Sequence, residues 1–169
     1  MRGALLIVAA CVALAVAGCG SSSSSSSTEE TGGSEQSAPK PAAAESNRSK
    51  PKVTVPNGPP PKKLVSKELI QGSGAEAKAG DEVTVQYVGV GYETKEQFDA
   101  SWDRGEPFSF RLGAGEVIPG WDQGVEGMKV GGRRELVIPP GLAYGPQGAP
   151  PAIGPNETLI FVVDLLAAK

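Results

Sequence analysis

The stretch FDASWDRGEPFSFRLGAGEVIPGW, residues 98–121, decides how this 169-residue chain reads. Its last six residues, EVIPGW at 116–121, describe a short strand running into a helix. Pro119 suits the first helical position, where its missing N–H is not needed and its φ is already near the helical value. From there Trp121, Val125 and Met128 recur at i, i+4 and i+7, one apolar face. A large indole therefore opens a helix whose inner side is buried. A buried Trp is ordinary core by itself. An FD pair at 98–99, alone, is an ordinary turn, and FSF at 108–110 is an alternating strand. The weight lies in their company.

Outward from this stretch the chain alternates in the manner of strands. VTVQY at 83–87 and FSFRL at 108–112 are half-buried strands, and RRELVI at 133–138 follows a Gly131-Gly132 turn. In the last strand, 158–166, Leu159, Phe161, Val163 and Leu165 face one way. Ile160, Val162 and Leu166 face the other, so this strand is covered on both sides. Several strands and one helix, without a βαβ rhythm, predict an α+β domain over 64–169: a mostly antiparallel sheet packed on one short helix. About 105 residues suffice for one core without crosslinks.

Composition excludes much chemistry. The chain has no His, so Ser-His-Asp triads, Cys-His dyads and His-ligated zinc are ruled out. It lacks the acidic loop of a calcium site, and neither metal nor cofactor is expected. Residues 64–169 carry nine Lys or Arg against 15 Asp or Glu, which argues against nucleic acid. Monomer is the default state.

The first 18 residues read as a signal peptide: Arg2, then an apolar run from Ala4 to Val16, too short to span a membrane comfortably. VAGC at 16–19 resembles the bacterial lipobox. That resemblance implies cleavage before Cys19 and a diacylglyceryl thioether, a palmitate-class anchor, on its sulfur. The expected location is the extracytoplasmic side of the cell membrane, periplasmic or extracellular. Residues 19–63, rich in Ser, Pro and Ala and nearly devoid of large apolar side chains, read as a lipidated Cys and a disordered tether. As a flexible coil its 44 residues after Cys19 would span about 35–40 Å.

The ordered motifs of the domain carry a further resemblance. They are VQYVG at 85–89, FDAS at 98–101, RGEPF at 104–108, LG at 112–113, EVIPGW at 116–121, GVEGM at 124–128, IPP at 138–140, AYG at 143–145 and TLIF at 158–161. In this order and spacing the chain resembles the FK506-binding-protein (FKBP) family of peptidyl-prolyl cis-trans isomerases. The resemblance implies a curved antiparallel sheet wrapped on one short α-helix, with a shallow aromatic pocket between them. It implies a floor at Trp121 and walls at Tyr87, Phe108, Val117, Ile118 and Phe161. Phe98 and Asp99 stand on one rim, Tyr144 and Ile153 on the other. Arg104 matches the position that pairs with the rim carboxylate, and Glu116 one whose backbone carbonyl meets ligands. Asp99, Tyr144, Trp121 and Phe161 are the implied catalytic set. Two places depart from the family. Ala149 stands where many members carry His, and the 90–97 loop is about one residue longer than in the shortest members, so that a bulge there could shift Phe98 and Asp99.

The chemistry follows from the residues. An X–Pro bond has a cis/trans barrier of about 18–20 kcal/mol, set by loss of amide resonance on twisting. An apolar pocket that strips water from the amide favours the less polar twisted form. A donor such as the Tyr144 hydroxyl or the Ile118 N–H can orient a substrate carbonyl. Asp99 either faces the rotating carbonyl carbon or serves only to pair with Arg104. Expected partners are proline-containing exported proteins during folding and FK506-like macrolides, with the membrane reached through the lipid. The alternative is a non-catalytic proline-segment binding module or chaperone of the envelope.

Overall fold

A computed structural model describes residues 48–169. The expected signal peptide, Cys19 and the tether up to residue 47 lie outside the described residues. Six strands form one antiparallel sheet: β1 (Val65–Ile70), β2 (Glu82–Gly91), β3 (Gln97–Ala100), β4 (Phe108–Arg111), β5 (Arg133–Ile138) and β6 (Leu159–Ala168). The spatial order is β1-β5-β6-β2-β3, and β4 also pairs with β2. β3 and β4 are therefore two halves of one edge. β3 takes the distal part of β2 (Val88 with Ala100) and β4 the proximal part (Val85 with Phe108).

Among the described residues two α-helices punctuate the sheet, where the sequence predicts one. The expected helix is α2 (Pro119–Val125), with Pro at its start and Trp121, Gly124 and Val125 buried. It stops at Val125, so Met128 belongs to the turn beyond and still reaches the core fully buried. Helix and sheet are close because two of its residues lack a Cβ. One at Gly120 would meet Ile138 at 2.3 Å, and one at Gly124 would meet Leu136 at 2.7 Å. The unforeseen helix is α1 (Ser101–Arg104), a single turn between β3 and β4 closed by Gly105 at φ 70°.

The core lies between α2 and the inner face of the sheet. Val83, Val85 and Tyr87 of β2, Leu136 and Ile138 of β5, and Leu159, Phe161, Val163 and Leu165 of β6 point into it. This is the period of two read from β2 and β6. Strand β1 escapes sequence reading because all six of its residues are exposed and no burial pattern marks it. The FD pair at 98–99 lies in β3, not in a turn.

The disordered tether expected up to Lys63 is also corrected in its last part. Val53 and Val55 are half-buried against the outer face of the sheet, beside Val88, Val90, Tyr92, Val137 and Ile160. An outer face this apolar needs a cover, and the segment before β1 supplies it.

Candidate active site

The split edge, the start of α2 and two loops enclose a cavity of about 390 Å³. Its lining is Tyr87, Phe98, Asp99, Phe108, Glu116, Val117, Ile118, Trp121, Tyr144 and Phe161. Ten of the twelve residues expected at the pocket are brought together. The other two, Arg104 and Ile153, stand behind the lining.

Trp121, 4% exposed, forms the floor among four rings. Tyr87 and Phe161 meet it edge-on with centroids at 5.0 and 5.2 Å, Phe110 tilts toward it at 5.6 Å, and Phe108 lies at 6.1 Å. Edge-to-face contacts set the positive ring edge on the negative face. The buried indole N–H of Trp121 has no hydrogen-bond acceptor within this cage. Phe98 stands edge-on to Phe161 at 5.5 Å. Gly89 lets them meet, because a Cβ there would lie 2.6 Å from the Phe98 ring and 2.8 Å from Phe161.

The polar rim is a three-residue network. The Tyr87 hydroxyl donates to Asp99 Oδ2, and Arg104 Nη1 donates to Asp99 Oδ1. Arg104 Nη2 donates to the Tyr87 oxygen at 2.8 Å, while its guanidinium lies 5.4 Å from the Tyr87 ring. The pairing of Asp99 with Arg104 is thus present, and Asp99 lines the cavity as well. Burial, then the bond to Asp99, pushes the Tyr87 hydroxyl above its ordinary 10.0. The bond to Tyr87 holds the Arg104 guanidinium above its ordinary value. Tyr144, 42% exposed, faces the same cavity, and burial followed by the charge of Asp99 raises its hydroxyl above 10.0.

Local structure fixes each wall. Ser101, fully buried in α1, accepts from the Tyr87 N–H at 2.8 Å and donates to Gln86 Oε1, locking α1 to β2. Asp122, in the first turn of α2, accepts from the N–H groups of Gly113 and Gly115 at 2.8 and 3.2 Å. It thereby holds the loop that delivers Glu116, Val117 and Ile118. The Glu116 carboxylate accepts from the Arg111 N–H at 2.9 Å, and the residue lines the cavity. Ile118 is the N-cap of α2, so its N–H precedes the helix and is not consumed by it.

The expected opposite rim is only half right. Tyr144 lines the cavity, but Ile153, 5% exposed, is turned into the core. Ala149 and Ile153 exchange backbone hydrogen bonds at 3.0 Å, which closes the loop in the absence of a His there. The longer 90–97 loop does carry a register shift, between Gly89 and Val90, yet Phe98 and Asp99 still reach the cavity. Glu157, buried, ties this loop to the opposite rim. It accepts from the Thr94 hydroxyl at 2.9 Å and from the Gly154 N–H at 2.8 Å. Sequence reading missed Ser101, Gln86, Asp122 and Glu157. Only Asp122 had a local signal, an acid in the first turn of a helix.

The family model described as FKBP-type peptidyl-prolyl cis-trans isomerase matches residues 74–166. An FK506-binding protein of Streptomyces anulatus is 60% identical over 119 residues, covering 70% of this chain and 96% of that protein. A probable FK506-binding protein of Corynebacterium glutamicum is 51% identical over 119 residues, 70% of this chain and 98% of that one. The matched residues outnumber residues 64–169, so both matches extend upstream of Leu64. Among solved structures, FkpA from Escherichia coli aligns with a TM-score of 0.57 at 49% identity, over 63% of this chain and 48% of that one. AtFKBP13 aligns with a TM-score of 0.59 at 39% identity, over 63% of this chain and 93% of that one.

Proposed function

The chain belongs to the FKBP-type peptidyl-prolyl cis-trans isomerase family and is such an isomerase; on that premise we propose how its pocket works and where. The observation that carries the mechanism is the aromatic cavity floored by Trp121, with polar groups confined to its rim. The pyrrolidine ring of an X–Pro segment seats against the indole, in space lined by Phe108, Phe161, Val117 and Ile118. There the amide leaves water. The planar amide is the more charge-separated form and loses more solvation than the twisted one, so the rotational barrier of about 18–20 kcal/mol falls. The Ile118 N–H and the Tyr144 hydroxyl are the donors that hold substrate carbonyls. Asp99, tied from behind by Tyr87 and Arg104, keeps lone pairs free toward the cavity, where they face the carbonyl carbon as resonance is lost. No step moves a proton or forms a covalent bond.

A rim built of Phe98, Phe161 and Asp99 favours a bulky apolar residue before proline and disfavours an acidic one. Full burial of a Leu side chain contributes about 1.5–3 kcal/mol, and a rim contact a fraction of that. NMR exchange measurements on paired peptides are expected to give a higher kcat/KM for Leu-Pro than for Glu-Pro, with an FK506-like macrolide competing for the site. Equal values for the two peptides would contradict this seating.

The proposed place of work is the extracytoplasmic face of the cell membrane, with exported chains as clients and the enzyme acting as a monomer. Support comes from the apolar run to Val16 and the VAGC sequence ending at Cys19. Two acyl chains on one Cys suffice for stable attachment. Fractionation of cells is expected to place the wild type with membranes and a Cys19→Ser variant in the soluble or unprocessed pool. Identical partitioning of the two would contradict the anchor.

A further inference from the structure

The outer face of the sheet carries two apolar clusters, Val88, Val90 and Ala100, and Tyr92, Val137 and Ile160, none more than 7% exposed. An antiparallel sheet with helix on one side can leave its other face to water. Here a strap formed by the residues before β1 covers it. Along this strap Pro51, Val53 and Val55 are half-buried while Lys52, Thr54 and Pro56 are exposed, the period of an extended chain. Val53 and Val55 pack on both clusters. The Trp102 indole N–H donates to the Arg48 carbonyl at 3.3 Å, and Arg133 Nη2 to the Ser49 carbonyl at 3.3 Å. Arg133 is itself bidentate on Asp164, 2% exposed, at 2.5 and 2.7 Å. The strap therefore also caps a buried ion pair.

The same strap reaches the turn that serves the pocket. Lys50 Nζ lies 2.6 and 2.8 Å from the two carboxylate oxygens of Asp103, and Gln97 Nε2 donates to Asp103 Oδ2 at 2.7 Å. Gln97 opens β3, just before Phe98 and Asp99. Asp103 is the neighbour of Arg104, whose guanidinium holds Asp99 and Tyr87. One carboxylate thus joins the strap, the strand bearing the rim and the turn bearing Arg104. Left unneutralised, it would also compete with Asp99 for that guanidinium. Hydrogen bonds from Lys50, then Gln97, hold the Asp103 carboxyl below its usual range.

We propose that the strap from Arg48 to Val55 is part of the isomerase domain, and that Lys50 is a positioning residue for the pocket. It acts through Asp103 and Arg104 on the placement of Asp99 and Tyr87. Lys50 touches no substrate. An exposed ion pair adds little to folding stability, so its loss is read in turnover and in the state of Arg104, not in melting temperature.

The proposal rests on the isomerase reading for its readout, and wild-type turnover of a Leu-Pro peptide is the control that tests that reading separately. Lys50→Met, Lys50→Arg and Asp103→Asn are compared with the wild type in the full chain, well below the melting temperature. Lys50→Met is expected to lower kcat/KM about threefold to tenfold and to shift the Arg104 Nε–Hε resonance, with the melting temperature nearly unchanged. Lys50→Arg is expected to restore both to near wild type. Lys50→Met combined with Asp103→Asn should be no worse than the poorer single variant. Wild-type turnover together with unchanged kcat/KM in Lys50→Met would overturn the proposal. So would a lowered melting temperature with kcat/KM and the Arg104 resonance unmoved.

Discussion

The two faces of this sheet are both apolar, but they are closed by different means. The inner face meets α2, and its large aromatic side chains leave a cavity where Trp121, Tyr87, Phe108 and Phe161 cannot fill the space between helix and split edge. The outer face presents mainly Val and Ile, which are small and stiff at χ1, and a strap of alternating residues lies flat on it. One face becomes a site because its rings are too large and too angular to close over one another. The other becomes a seal.

The difference between the faces can be broken from either side. The largest effect is expected at the inner face. Trp121→Ala removes the floor and four ring contacts, and should cost about 3–5 kcal/mol of stability in denaturant titration together with nearly all substrate binding. A loss below 1 kcal/mol would mean that the cage collapses onto the gap. Removing the strap by truncation before Pro56 should cost less, about 2–4 kcal/mol, since two half-buried Val leave and the face beneath them meets water. Urea midpoints of the full and truncated chains measure this directly. Equal midpoints would show that the outer face needs no cover.

The same contrast explains what could be read from the sequence. The inner face was legible because its side chains are large, distinctive and repeated at periods of two and of 3.6: β2, β6 and the Pro119 helix start all announce themselves. The pocket residues were legible through ordered motifs that each hold an aromatic or a turn. The strap was hidden in composition. Two Val in a segment rich in Pro and Lys look like a linker, although PKVTV at 51–55 already alternates. Strand β1 was hidden because an exposed edge imposes no pattern. Ile153 was misplaced because rim and core differ by the turning of one loop, which the Ala149 backbone pairing decides. Single-residue ties such as Ser101 on β2 or Glu157 between loops join positions 14 to 63 residues apart and leave no local mark.

The pocket tyrosines link the site to pH. The Tyr87 and Tyr144 hydroxyls are both raised above 10.0 by burial in the folded protein. Their contribution to stability is therefore fully present below the unfolded value near 10 and is lost as the pH climbs through the folded values. Urea midpoints should fall in alkali above about pH 10, and a midpoint that rises there would reverse the sign of this linkage.

The central claim is that the inner face lowers the barrier by desolvation and orientation, without moving a proton. The direct measurement is the pH profile of kcat/KM for a Leu-Pro peptide by NMR exchange, repeated in deuterated solvent. With no His in the chain and both pocket tyrosines protonated, the profile should be flat from about pH 6 to 9. The solvent isotope effect should be close to one. Tyr144→Phe should lower the plateau about twofold to tenfold, the loss of one orienting hydrogen bond, and leave it flat. A steep limb near neutrality in the wild type, or a large isotope effect, would mean that a titrating group takes part in the reaction and would contradict the account.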